Sequence, residues 1–169
     1  ANLILHVNQA KKPLPRFWYF PHGKKAVVIM SGDDHANGGT AGRFEQLSAA
    51  SPPGCSVADW ECLRGTSYLY PGSPLTDSQA SAFHAAGFEV SLHVTTGCSN
   101  YTSASLQANY VSQLAAWQSS YPSVPAPVTQ RHHCIVWSDW TSGAEVQLAN
   151  GMRLDTSYYF WPPGWVGNV

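Results

Sequence analysis

Ionisable side chains crowd three short apolar runs of this chain. AVVIMS (26–31) leads into Gly32-Asp33-Asp34-His35, FEVSLHV (88–94) carries His93 near its end, and VTQRHHCIVW (128–137) has Arg131, His132 and His133 built into it. Runs of this length without clean alternation suit strands buried on both faces. MRLDTSYYF (152–160) reads as a further strand, and TSYLY (66–70) adds one more.

Helical segments fall between these runs. GTAGRFEQLSAA, around Thr40, fits a helix, and TDSQASAFHAAG starts on an N-capping Thr76, has an acidic first turn and stops at Gly87. From Ser103 to Ser120, Leu106, Tyr110, Leu114 and Trp117 share one helical face. SGAEVQLANG gives a short helix that ends at Asn150-Gly151. Strands alternating with helices imply parallel pairing, hence an α/β domain with its site at the C-terminal strand ends.

A chain of 169 residues without a break in composition reads as one domain, with 1–25 as an N-terminal extension and 26–169 as the folded unit. Charged residues make up 11%, against roughly 25% in an ordinary soluble domain, and the net charge is -1. That argues against nucleic acid as a partner. Lys11, Lys12, Lys24 and Lys25 form two isolated pairs, a poor phosphate-binding surface. No run reaches the roughly 18 to 20 apolar residues that span a bilayer, and Ala1 opens neither a signal peptide nor an obvious anchor. Seven Trp and eight Tyr, with polar bulk from Ser, Thr, Asn and Gln, lean towards extracellular proteins that meet sugars.

The cysteines support the same compartment. Cys55 and Cys62 enclose a Pro- and Gly-containing loop that a local disulfide would staple. Cys98 and Cys134 each sit beside an apolar, strand-like run, where neighbouring strand ends come within disulfide reach. Zinc held by four cysteines is the rival, weakened by the lack of a close CxxC pair. Asn100-Tyr101-Thr102 is a glycosylation sequon compatible with an exposed loop.

Two adjacent carboxylates after a buried strand raise one another's pKa unless a cation neutralises them. Asp33-Asp34 therefore calls for a metal or an Arg, although one of the pair could instead cap the helix near Thr40 while the other faces water. His93 alone could be a satisfied core histidine. Period-two alternation sends Arg131 and His133 to one side of their strand and His132 and Cys134 to the other. A carboxylate with two imidazoles is a normal zinc set that leaves a position for water, and a second carboxylate can act as base.

These residues match a known pattern. SGDDHA resembles the TFDD-type first motif of the NodB-like polysaccharide deacetylases, carbohydrate esterase family 4, and GFEVSLH (87–93) is similar to that family's second motif. The resemblance runs over residues 26 to 160 and implies a distorted (β/α) barrel. It makes Asp33 the catalytic base, Asp34 and His93 metal ligands, and Arg131 the residue that holds and tunes the base. It also implies a divalent ion, zinc above others, a polysaccharide substrate and a secreted protein.

Two departures bear on the site. The family's second motif supplies another His four residues after the first, where this chain has Gly97. His133 is the expected substitute, because a Cys98–Cys134 bridge would draw the loop after His93 against the strand bearing it; His35 and His132 are the alternatives. The family's Leu-x-His motif, which contributes a general acid, has no counterpart before Val169, so the barrel is expected to be incomplete at its C-terminus.

The expected activity is metal-dependent removal of acetyl groups from a polysaccharide. Trp137, Trp140, Tyr158, Tyr159 and Trp161 could line a sugar groove or pack in the core. The competing readings are a non-catalytic glycan-binding module, favoured by Gly97, and a structural extracellular module. No Gly-x-Ser-x-Gly elbow points to a serine hydrolase, and no nucleotide-binding loop is present.

Overall fold

A computed structural model describes residues 28–134 and 136–157 of the chain. Five strands, β1 (Ser31–Asp34), β2 (Thr66–Leu69), β3 (Glu89–Thr95), β4 (Thr129–His133) and β5 (Leu154–Asp155), form one parallel sheet in sequence order. A helix joins each consecutive pair: α1 (Gly39–Ala50), α2 (Asp77–Ala85), α3 (Ser103–Ser120) and α4 (Ser142–Ala149). The α/β class expected from the alternation is therefore the one observed. The described residues form an open five-stranded sheet, and closure into a barrel is not among their features.

Cα partners place Asp33 beside Tyr68, Tyr68 beside Ser91, and His93 beside Arg131. Neighbouring residues of a strand point to opposite faces, so Asp33, His93, Arg131 and His133 share one face. The other face offers Leu69, Leu92 and Val94 to a core completed by Phe44, Leu106, Tyr110 and Trp117. Leu106, Tyr110 and Trp117 are the buried stripe expected of α3, while Leu114 is only partly buried. Phe44 of α1 stacks on Phe88 with ring centroids 4.4 Å apart.

Local chemistry accounts for the helix boundaries. Thr76 accepts a hydrogen bond from the Gln79 N–H, and the Gln79 side chain accepts one from the Thr76 N–H. Both orphan donors at the start of α2 are thus met. Thr76→Ala is expected to cost about 1 kcal/mol of stability, and Thr76→Ser to restore most of it, as read by urea unfolding. Gly87, with φ +90°, ends the same segment.

Three strand boundaries differ from expectation. The sequence predicts the first strand over 26–31; among the described residues pairing with β2 begins at Ser31 opposite Thr66, and Val28 and Ile29 are 77% and 75% exposed. Hydrophobicity marks what burial would favour, whereas the ladder starts where the neighbouring strand starts. Among its described residues, the 128–137 run pairs only over Thr129–His133, because Cys134 turns into a left-handed conformation at φ +62°. Among the described residues, the last strand pairs over Leu154–Asp155 alone. The 1–25 extension, Tyr158, Tyr159 and Trp161 lie outside the described residues.

Both cysteine pairs close as expected, Cys55 with Cys62 and Cys98 with Cys134. That removes the four-cysteine zinc alternative. No helix among the described residues is long and apolar enough to cross a membrane. Asn100 is exposed in the loop before α3, where Thr102 is the N-cap.

Candidate active site

β1, β3 and β4 deliver their ionisable residues to the C-terminal end of the sheet. Asp33 meets Arg131 there, with Arg131 Nη1 donating to Asp33 Oδ1 at 3.1 Å. The guanidinium is fixed on further sides: Nη2 donates to Ser31 Oγ at 2.6 Å, Nε to the Thr156 carbonyl at 3.2 Å, and its plane lies over the Tyr68 ring. A fork held at several points leaves the carboxylate little rotational freedom.

Beside this pair, one nitrogen from each of His35, His93 and His133 lies within 4.8 Å of the other two. His93 Nδ1 is 2.8 Å from the Arg131 carbonyl, which accepts the proton carried there and leaves Nε2 with its lone pair towards the site. His35 Nε2 approaches His93 Nε2 to 3.1 Å. The His133 ring stands edge-on to both, and Tyr70 stacks on His93 at 5.1 Å between centroids.

Burial pushes His93 down to about 4, with His35 and His133 adding to the effect and Asp33 opposing it. Burial, then His35, also lowers His133. Near neutral pH both imidazoles are therefore uncharged and able to donate lone pairs.

Asp34 points the other way. Its carboxylate is fully buried, and both oxygens are engaged: Oδ1 by the N–H groups of Asn37 and Gly38, Oδ2 by the N–H and hydroxyl of Thr40. Burial would raise its pKa, but the Thr40 hydroxyl and the Gly38, Thr40 and Asn37 N–H groups outweigh it and hold Asp34 below the ordinary value. The chain of contacts continues from Thr40 Oγ1 to Ser67 Oγ and on to Arg43 Nη2, which donates at 2.6 Å. Gly32 makes room for that guanidinium, since a Cβ there would lie 2.8 Å from its central carbon.

Among solved structures, a family 4 carbohydrate esterase from Streptomyces lividans, in complex with acetate, superposes with a TM-score of 0.51 at 16% identity, over 77% of this chain. The fold is that of a family 4 carbohydrate esterase. The chain spans 62% of that esterase's length. No family model matches the sequence, and no curated protein matches it.

On this esterase fold the structure brings Asp33, Arg131, His93 and His133 together and leaves Asp34 outside the imidazole group. His35, one of the alternatives for the third ligand, lies inside it. His132, the other alternative, is buried on the helix face against Tyr110, with Nε2 3.4 Å from the phenol oxygen. Tyr70 is the site residue that sequence reading missed; its only signal was its place at the end of TSYLY, in phase with Tyr68. Trp137 and Trp140 are exposed, Trp140 at 93%.

The donor set fits a divalent ion. Tetrahedral nitrogens roughly 2.0–2.1 Å from zinc lie roughly 3.3 Å apart, and His35 and His93 already stand at 3.1 Å. Cys98 and Cys134 lie near His133, but their disulfide leaves them no thiolate to offer.

Proposed function

We propose that the chain is a secreted, metal-dependent hydrolase that removes acetyl groups from a polysaccharide. The observation that carries this reading is the Asp33–Arg131 ion pair beside a cluster of three imidazoles at the C-terminal ends of parallel strands. The esterase-like fold and the paired cysteines support it.

His93 and His133 are the residues offered to the ion, and imidazole donors favour zinc over magnesium or calcium. When bound, such an ion supplies a Lewis acid that polarises the acetyl carbonyl and acidifies a water. Asp33 takes the proton of the attacking water. Arg131 holds Asp33 Oδ1 and so aims the carboxylate towards the imidazole side. Tyr70 walls the site and excludes solvent beside His93. Exposed Trp137 and Trp140 offer flat faces for sugar rings outside it.

The test is acetate release from acetylated polysaccharides, scored for the native protein, after chelation, and after zinc is returned. Chelation is expected to bring the rate to background and zinc to restore it. Acetate release that persists unchanged in protein shown to be metal-free overturns metal dependence, and metal-replete protein that binds glycan without releasing acetate supports the glycan-binding module instead.

A further inference from the structure

Building on the metal-dependent reading, we propose that this site holds its ion through three imidazoles, His35, His93 and His133, and that Asp34 is a positioning residue that aims His35.

A carboxylate offers about four acceptor positions, and Asp34 receives four hydrogen bonds, at 2.7–3.1 Å, from Asn37, Gly38 and Thr40. It has none left for an ion. Alternation along β1 turns Asp34 to the helix side and Asp33 to the other. The relay through Thr40 and Ser67 to Arg43 places a cation behind the buried carboxylate, so its charge is balanced without a metal.

The same hydrogen bonds shape the turn that carries His35. Asn37 and Gly38 are drawn back onto Asp34, and Ala36 and Gly38 take left-handed conformations at φ +65° and +84°. A non-glycine residue held there is an uncommon local cost that surrounding contacts must fix. The result sets the His35 ring against Tyr70 and its Nε2 3.1 Å from His93 Nε2. With the His93 proton on Nδ1, the two facing nitrogens are satisfied by a proton from His35 or by a cation bound between them.

Three neutral ligands leave the ion its full positive charge. Such a set selects zinc, copper or nickel over magnesium and calcium.

The experiment loads the full chain with Cu(II) and counts coordinated imidazoles by pulsed electron paramagnetic resonance, alongside zinc titration calorimetry. Wild type is expected to show three imidazoles and one ion per chain. His35→Ala should show two and bind zinc at least about 100-fold more weakly. Asp34→Asn should keep His93 and His133 coordinated and, by loosening the turn that aims His35, weaken zinc binding roughly 10- to 100-fold. If it does not fold, Thr40→Val, which removes one of the four hydrogen bonds, is read in the same way, and unchanged zinc affinity in the folded variant overturns the positioning role of Asp34. Two imidazoles in wild type, unchanged in His35→Ala, overturn this proposal alone. Wild-type protein that binds no ion overturns the metal-dependent reading beneath it.

Discussion

Asp33→Asn is expected to slow acetate release by about 10²- to 10⁴-fold, the usual loss when a positioned general base is removed. The substitution is nearly isosteric, and its amide oxygen can still accept from Arg131 Nη1, so the fold should hold. The ion should remain as well, because Asp33 lies outside the imidazole group. A fall in kcat with unchanged zinc content would therefore isolate proton transfer from metal binding. Arg131→Gln is expected to lose less, since it frees Asp33 to rotate without removing the base. It also unties Ser31 and Thr156, so its unfolding midpoint should drop. An Asp33→Asn enzyme as fast as wild type would take Asp33 out of the base role and leave the ion pair with Arg131 as a purely structural contact.

What could be read in advance depended on how local the determinant was. Alternation along VTQRHHC put Arg131 and His133 on one face and His132 on the other, and the contacts follow that division: Arg131 reaches Asp33, while His132 packs on Tyr110. The capping of α2 and the stripe of α3 were equally local. By contrast, AVVIMS could not disclose where the ladder begins, because that is fixed by the position of Thr66 on another strand. The division of labour between Asp33 and Asp34 was hidden for a similar reason. Both follow the same strand, and only the turn through Ala36 and Gly38 shows that Thr40 and its neighbours claim Asp34. The sequence did hold the clue, in the possibility that one carboxylate caps the helix near Thr40. Tyr70 became visible only once three imidazole rings were seen around it.

The metal-free protein is expected to lose stability steeply between about pH 6.5 and pH 4, with His93 as the main source. Burial, reinforced by His35 and His133, lowers His93 to about 4, against an unfolded value of 6.5. In that window the unfolded chain binds a proton at His93 and the folded chain does not, so acid favours unfolding. Stability from keeping His93 neutral is fully present above 6.5, falls as pH drops, and has no more to lose below about 4. The interval corresponds to roughly 3 to 4 kcal/mol at roughly 1.4 kcal/mol per pH unit. His132 and His133, both lowered chiefly by burial, push the same way. Asp34 acts only at lower pH, since it is held below the ordinary carboxylate range. Urea unfolding in chelator at pH 7 and pH 4.5 is the measurement, with His93→Gln beside wild type. The variant should be less stable at pH 7 yet lose distinctly less on acidification; an equal loss in both proteins would remove His93 as the source. Zinc should oppose the change near neutrality and fail as protons displace it, so the acid limit of stability and the acid limit of activity should coincide in the loaded enzyme.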